Sequence, residues 1–424
     1  MVNNYPTDIH KRKYIAYFLT NSTPPPPNFI LLILGQLTSL FGNFILKLAL
    51  SMYVLEVTGS AAAFAGILSL ATVPTILLTP FGGILADRAN RRNIMVALDT
   101  LTGICVLSAA LFISGENDLA VISMLLIILS VFGAFETPTV QACIPTMLTG
   151  DNIMKGNAVV NQTASLSYLT APLLGGIFYT AFGLQPVMFA SVLCFFITAL
   201  FECFIRLPYQ RPADRQNVLT IIRQDFTESM HYIVKEQTSV AKMLLLTAVS
   251  RFFVMGILMV GFPFMVRSVL QLNARYYGAA ESALAIATIL GSAAAGLLTA
   301  TLKKTHNTSA LLASLGVCMM PAGIIFLLPV NPLVKYGVTL LSFCGMQIAI
   351  SIFSIYIVSL IQQKTPNHLI GKVMAYTSAI TLCVQPLGQI VYGFLFDRFQ
   401  DTVSLVLLPT GILVCILGLW QRKR

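Results

Sequence analysis

Long apolar stretches recur along the whole of this 424-residue chain, and short polar breaks separate them. A helix needs about 20 apolar residues to cross the hydrocarbon core of a membrane. Stretches of this kind span residues 28–57, 62–86, 93–114, 118–141, 157–182, 186–206, 240–266, 276–302, 308–328, 332–361, 370–397 and 402–421. The pattern predicts an all-α integral membrane protein with about twelve transmembrane helices.

Composition excludes a soluble fold of the same length. Residues of the hydrophobic set make up 56% of the chain and charged residues only 10%, against roughly 25% charged in a soluble domain. The spans therefore take up nearly all of the chain and leave no room for a large soluble domain. The expected segments are an N-terminal tail (1–27), a six-helix bundle (28–206), a polar linker (207–239), a second six-helix bundle (240–421) and a short tail (422–424).

The net charge of +10 would also fit a nucleic-acid-binding protein. The positions of the basic residues distinguish that class from a membrane protein. With both termini in the cytoplasm, most of the 26 Lys and Arg residues fall in inside segments. The outside keeps only Arg267, Arg275, Lys335 and Arg398, while Lys47 and Arg251 lie within predicted helices. This is the positive-inside pattern of a membrane protein. We expect cytoplasmic termini and no nucleic-acid partner.

The polar linker carries apolar residues at helical spacing among its charges. These are Val218, Ile221, Ile222, Phe226, Met230 and Ile233. The spacing predicts an amphipathic helix on the cytoplasmic surface. It is interpreted as a connector between the halves rather than as a partner-binding helix.

Neither catalytic nor cofactor motifs are present in the sequence. The eight cysteines and four histidines are scattered, without the close spacing of a metal site. There is no GxxxxGK[ST] phosphate loop, no HExxH string and no GxSxG string. We expect no enzyme activity, no cofactor and no ATP use.

Weak internal repetition relates the two predicted bundles. Landmarks of the first half return 213 to 215 residues later in the second. They are Gly83 before Arg91-Arg92 with Gly296 before Lys303-Lys304, Gly156 with Gly371, and Pro172 with Pro386. Two parallel copies of one bundle are a known architecture of transporters.

The segment GGILADRANRRNIM resembles the loop signature of the major facilitator superfamily. It supplies the motif residues Gly83, Asp87, Arg88, Arg91 and Arg92, and Asn90 stands at the position of the second glycine. Asn tolerates the left-handed backbone conformation that glycine adopts there. We expect Gly83 to permit close approach of another helix and Asp87 to meet the start of helix 11 near Ile370. The resemblance implies that this contact closes the cytoplasmic side.

Within that superfamily the chain resembles the bacterial branch of macrolide-efflux proteins and the enterobactin exporter. The strings TGSAAAFAGILSLATVP and PNHLIGKVMAY and residue Asp99 carry the likeness. Pro172, Gly175 and Gly176 of TAPLLGG resemble the antiporter signature of helix 5. The resemblance implies export of a small molecule, siderophore-like or drug-like, by alternating access with protons as the coupling ion. Uptake, lipid transport and a non-transporting receptor remain alternatives.

Ionisable residues within a membrane usually face a cavity or a partner. Lys47 and Arg251 lie in helices 1 and 7, which line the central cavity of the superfamily fold, and are candidates for substrate binding. Asn43, Gln347, Tyr356 and Gln385 are further candidates. Glu136 either couples protons, since burial disfavours its charged form, or pairs with Arg91 in the gate, the role that the resemblance favours.

The remaining acidic residues are assigned by their depth in the predicted helices. Asp99 is expected to join the gate cluster, Glu281 is the second proton-coupling candidate, and Glu202 is expected to be solvated near the end of helix 6. Lipids, protons and a small-molecule substrate are the expected partners of a monomer. Its expected place is the bacterial cytoplasmic (inner) membrane.

Overall fold

The protein is nearly all helical in its computed structural model, which describes residues 26–113, 117–149, 151–207, 238–305, 308–365 and 370–421. We number the helices α1 to α12 in chain order. The first half contains α1 (Pro27–Thr58), α2 (Ala61–Arg88), α3 (Arg91–Phe112), α4 (Asp118–Met147), α5 (Asp151–Phe182) and α6 (Leu184–Cys203). The second half contains α7 (from Thr238 to Val269), α8 (Ala274–Thr305), α9 (Thr308–Ile325), α10 (Pro332–Lys364), α11 (Ile370–Arg398) and α12 (Ser404–Gln421).

The predicted membrane architecture is confirmed. Within the described residues, ten helices are long and apolar enough to cross a membrane. The predicted spans match the helices closely, except that α4 runs on to Met147 and α5 begins at Asp151. Hydropathy marks only the part of a helix within hydrocarbon, whereas the backbone hydrogen bonds continue into the interfacial region. The described residues include neither the predicted linker helix nor the two tails.

Helix ends follow local signals in the sequence. Gly59 ends α1 in the left-handed conformation, with φ of 61°, which glycine adopts without strain. Ser60 then caps α2, and its side chain accepts a hydrogen bond from the backbone N–H of Ala63 at 3.0 Å. Asn331 caps α10 in the same way, directly before Pro332 at the first helical position.

The helices pack as two bundles. In the first half, α1 packs on α5 and α6, α2 on α4, and α3 on α4 and α6. In the second half, α7 packs on α11, α8 on α10, and α9 on α10 and α12. The largest contacts between the halves are those of α2 with α11 and of α5 with α8. This arrangement confirms the predicted pair of six-helix bundles.

Helix α7 is irregular where it packs against α11. Two π-helical turns, Ile257–Gly261 and Met265–Val269, flank the α-helical residues Phe262–Phe264. A Cβ added to Gly261 would lie 2.2 Å from the Phe396 ring, so only glycine permits this approach. Such π-helical turns often occur at functional sites.

The two ends of the molecule are named here by their helix connections. The Gly59 face carries the connections after α1, α3, α5, α7, α9 and α11. The Asn90 face carries the connections after the even-numbered helices and the start of α1. These two names are used below.

Candidate functional site

The two bundles are joined at the Gly59 face by a carboxylate that caps a helix of the opposite half. Asp397, near the end of α11, accepts hydrogen bonds from Ser60 Oγ at 2.5 Å, from Ala61 N at 2.5 Å and from Ala62 N at 3.1 Å. These N–H groups have no partner within α2, and the positive end of the helix dipole favours a negative charge there. The contact closes this part of the face.

Further from the Gly59 face, polar groups also connect α2 with α11. Ser69 Oγ lies 3.2 Å from the Pro386 carbonyl oxygen and 3.3 Å from Gln389 Oε1. Gln389 is 2% exposed. A Cβ on Gly393 would lie 2.6 Å from Ala65 Cβ, so α2 and α11 are in close contact along this stretch.

The α5–α8 contact depends on small residues of the predicted helix 5 motif. A Cβ on Gly278 would lie 2.2 Å from the Pro172 carbonyl oxygen, and one on Gly176 would lie 2.8 Å from the Ala274 carbonyl oxygen. Gly175 instead faces α1, 3.2 Å from Ile45 Cα. The three predicted motif residues therefore all lie at helix contacts, and two of them lie between the bundles.

An ion pair also joins the two bundles at the Gly59 face. Arg267 Nη2 of α7 lies 2.7 Å from Glu56 Oε1 of α1. Tyr179 Oη of α5 donates a hydrogen bond to Glu56 Oε2 at 2.8 Å. The Arg267 side chain is 20% exposed and that of Glu56 46% exposed, so water screens the pair.

The loop motif lies at the Asn90 face and differs from expectation at two glycine-like positions. Asn90 has φ of −70° and is not left-handed. It caps α3, and its side chain accepts from Asn93 N at 3.4 Å, a role that Asn performs well. Gly82 carries the close approach to α4, since a Cβ there would lie 2.3 Å from the Ala134 carbonyl oxygen, whereas a Cβ on Gly83 meets no described atom within 4 Å.

The motif cations contact backbone carbonyl groups. Arg91 Nε donates to the Ala86 carbonyl at 2.8 Å, and Arg92 Nη2 donates to the Cys203 carbonyl at 2.5 Å. Arg92 also lines a cavity of about 410 Å³ beside Asn90 and residues 203–207. Arg88 is the last residue of α2 and also interacts with another part of the protein. The Asp87 side chain and the first side chains of α11 lie outside the described part, so their contact stays a prediction.

A chain of polar side chains crosses the first bundle. Ser39 Oγ of α1 donates to Asp99 Oδ1 of α3 at 2.9 Å and lies 3.4 Å from Glu136 Oε1 of α4. Gln36 lies beside Glu136, and Glu202 of α6 lies beside Asp99. The expectation that Asp99 and Glu136 belong to one cluster matches this geometry. In the described residues, no group of three metal-ligating side chains could hold a metal ion.

One expectation for this cluster is wrong. Glu202 was expected to be solvated, but it is 1% exposed because α6 packs against α1 and α3 at this depth. The described contacts of Glu136 are with Ser39 and Gln36, and its pairing with Arg91 stays a prediction.

Lys47 and Arg251 lie deep in the protein without an ion pair among the described residues. Lys47 of α1 is exposed although protein surrounds it, which places it in the wall of an internal space. Glu136 is the charged group that interacts with it. Arg251 of α7 is half-buried. Binding of a solute by these two cations stays a prediction.

The other predicted binding residues divide into two groups. Asn43 and Gln385 are half-buried, and Asn43 Oδ1 has no hydrogen-bond partner in the described chain. Gln347 Nε2 donates to Thr288 Oγ1 of α8 at 2.8 Å. Tyr356 is 8% exposed and packs with Ala295 and Ile352. In this conformation Gln347 and Tyr356 therefore bind neighbouring helices.

Glu281, the proton-coupling candidate of the second bundle, has tyrosine neighbours. Tyr277 Oη donates to Glu281 Oε1 at 2.6 Å within α8. Tyr168 of α5 interacts with the carboxylate electrostatically, and its ring packs edge-on against Phe44 of α1, with 5.4 Å between centroids. Glu281 therefore lies at the contact between the bundles.

Sequence reasoning did not single out Ser39, Glu56, Gln389 or Asp397 as site residues. Each is a polar side chain whose partner is far along the chain. Glu56 and Asp397 had one available signal, since each is an acidic residue within the last turn of a predicted span. That signal does not name the partner.

Comparison with known proteins agrees with the fold. The profile described as Major Facilitator Superfamily matches residues 32–385. The solved structure of the nucleoside transporter NupG has a TM-score of 0.73 and 12% identity, covering 94% of this chain and 99% of that one. A bacterial homologue of the iron transporter ferroportin, in its inward-facing state, has a TM-score of 0.69 and 17% identity, covering 94% and 99%. At these identities the structures support the fold alone.

Two of the curated relatives are efflux proteins. Macrolide efflux protein A of Streptococcus pyogenes is 23% identical over 385 residues, which cover 90% of this chain and 92% of that protein. The multidrug efflux pump Tap of Mycolicibacterium fortuitum is 25% identical over 388 residues, covering 89% and 91%. With its two six-helix bundles, its loop motif and the profile match over most of its length, this chain is a multi-pass membrane transporter of the major facilitator superfamily.

Proposed function

We propose that this protein is a secondary active exporter that moves a small organic molecule out of a bacterial cell in exchange for protons. Lys47 and Glu136, which interact with each other within the first bundle, carry the proposal, because costly ionisable groups in membrane helices mark a solute pathway. The efflux relatives support the outward direction. A siderophore-like or drug-like cargo fits this reading.

Alternating access is the mechanism that the contacts support. Among the described residues, the contacts between the bundles concentrate at the Gly59 face, and a Cβ added to Gly83 or Gly296, in the other half of α2 and α8, meets no described atom within 4 Å. A carrier that is closed at the Gly59 face in this conformation is consistent with these contacts. We assign the Asn90 face to the cytoplasm, because the basic residues concentrate there. The chain then lies in the cytoplasmic membrane as a monomer with both termini inside.

Proton antiport requires that cargo and proton exclude each other from the same state of the carrier. Glu136 and Glu281 are the candidate carboxyls, since both occupy membrane helices near the central space. A cationic cargo would compete with a proton for Glu136 directly. This competition favours antiport for a cation.

A second candidate function follows from Lys47. If the cargo is an anion, a proton on Glu136 releases Lys47 to bind that anion, and proton and cargo then travel together. The result is proton-coupled uptake, the alternative direction. Lys47 and its electrostatic partner Glu136 favour it for anionic solutes.

Transport into energised inverted membrane vesicles tests both functions. Radiolabelled macrolides and siderophores are offered with and without a protonophore, and vesicles without the protein are the control. Export predicts accumulation that the protonophore abolishes. Accumulation only in right-side-out vesicles supports uptake, and none in either orientation contradicts both.

A further inference from the structure

Asp99 and Glu202 form a buried carboxyl pair away from the central cavity. Asp99 is 2% exposed and Glu202 1% exposed, and their side chains lie next to each other between α3 and α6. Asp99 Oδ2 and Glu202 Oε2 have no hydrogen-bond partner among the described residues. No described ion pair reaches either carboxyl group.

This arrangement is costly if both groups carry a charge. An ionised carboxylate in an apolar interior needs a cation or several donors. Two carboxyls in contact reduce the cost by sharing one proton, which supplies the missing donor and leaves one negative charge in place of two. Glu136 adds a third acidic group within reach of Asp99 through Ser39.

Gln36 of α1 borders the same cluster. It is 6% exposed, and its amide lies against the Glu136 carboxyl group without a well-formed hydrogen bond from Nε2. A buried amide donor needs an acceptor, and the carboxylate form of Glu136 is the acceptor within reach. Gain or loss of a proton at Glu136 therefore changes whether Gln36 has a partner.

We propose that Asp99 and Glu202 share a proton and that Ser39 connects this pair to Glu136 at the central cavity. A protonated Glu136 donates its O–H to Ser39 Oγ while Ser39 passes its own hydroxyl proton to Asp99 Oδ1. One O–H bond breaks and one forms at Ser39, leaving Glu136 as a carboxylate and Asp99 as a carboxylic acid. The reverse transfer returns the proton.

The charged groups around the Asp99–Glu202 pair link its proton to the binding of cargo. Lys47 of α1 interacts with Glu136, so a proton leaving Glu136 restores its attraction for Lys47. On the other sides, Cys143 of α4 and Cys203 of α6 interact with Glu202, and Arg91 of α3 interacts with Cys143. The role in coupling rests on the proposed function, whereas proton binding does not.

Infrared spectroscopy of the purified full-length protein in lipid nanodiscs tests proton binding without any cargo. The carboxylic acid C=O band at neutral pH is compared among wild type, Asp99→Asn, Glu202→Gln and Asp401→Asn. Asp401 is an exposed carboxyl outside the cluster and is the control. We expect the band to shift or weaken in Asp99→Asn and in Glu202→Gln, because each variant removes one of the two carboxyl groups that hold the shared proton, and to stay unchanged in Asp401→Asn. An unchanged band in both, or its loss in Glu281→Gln instead, would overturn the proposal.

Ser39→Ala tests whether Ser39 connects the carboxyl pair to Glu136. This variant leaves both carboxyl groups in place, so its result does not depend on whether Asp99→Asn or Glu202→Gln folds. The band should persist, because the carboxyl pair is intact, but its exchange in deuterated water should slow. Exchange at the wild-type rate would reject the Ser39 connection. In vesicles, Asp99→Asn should lose protonophore-sensitive accumulation and keep cargo exchange. Wild-type vesicles that accumulate nothing would contradict the proposed function while the infrared result stands.

Discussion

Asp397 on α11 accepts a hydrogen bond from Ser60 on α2 at 2.5 Å, and this one carboxylate links the two bundles. It also caps the first N–H groups of α2. The expected contact of Asp87 is the reciprocal one, from the end of α2 to the start of α11. If both form in turn, two carboxylates close opposite faces of the carrier.

Replacing Asp397 with Ala should open the Gly59 face. A lost helix cap costs about 0.5–2 kcal/mol, which shifts a two-state population about 2- to 30-fold. Spin labels at Val57→Cys and Leu333→Cys, exposed positions at this face in opposite halves, measure the change in a background without native cysteines. We expect longer distances than in wild type. Asp401→Ala is the control, and identical distance distributions in all three proteins would reject the capping role.

Gly278→Ala should separate α5 from α8. Its Cβ would lie 2.2 Å from the Pro172 carbonyl, and overpacking of this kind costs about 1–3 kcal/mol. The closed Gly59 face should lose population by about 5- to 150-fold. Gly296→Ala in the same helix is the matched control, because nothing lies within 4 Å of the added carbon.

Distances between the same spin labels measure both glycine variants. Gly278→Ala should lengthen them and Gly296→Ala should not. Equal distances in the two variants would mean that the close approach at Gly278 does not hold the face closed.

The Glu56–Arg267 ion pair should contribute little by itself. Because both side chains are partly exposed, we expect a coupling free energy of about 1 kcal/mol or less. A double-mutant cycle with Glu56→Gln and Arg267→Gln, measured by thermal unfolding in detergent, gives this quantity. A much larger coupling would show that water does not screen the pair.

Loss of the cavity cations should weaken the binding of anionic cargo. Lys47→Met and Arg251→Met each remove a charge without an ion pair from the solute pathway, and we expect about 1.5–3 kcal/mol less binding free energy for a directly contacted anion. Titration calorimetry with siderophores measures it. Lys242→Met is the control, because Lys242 is an exposed cation near the Asn90 end of α7. An equal loss in the control would indicate a general effect of charge.

The helices and their order could be predicted from the sequence because each span depends on its own residues. A stretch of apolar residues with hydrogen bonds inside one helix needs no distant partner. The predicted bounds of α4 and α5 are wrong where the apolar stretch is shorter than the helix. The loop motif was recognisable for the same local reason, although Asn90 caps α3 instead of turning left-handed.

The partners of the polar residues could not be predicted in this way. Glu202 stands at the end of a span in the sequence, and only the packing of α6 makes it buried beside Asp99. The sequence does not distinguish the neighbouring glycines Gly82 and Gly83, and only the packing of α4 shows that Gly82 lies against it.

The twelve helices and the paired bundles could be predicted from the sequence because they depend on apolar length and internal repetition, and the family could be recognised from the loop motif. Only the packing of the helices shows which contacts join the bundles at the Gly59 face and which carboxyl groups meet. Asp397 contacts α2, and Ser39 contacts Asp99, only because helices that are far apart in the sequence pack together. Hydrogen bonds and charges act over a few ångströms, so their partners are fixed by packing and not by spacing along the chain.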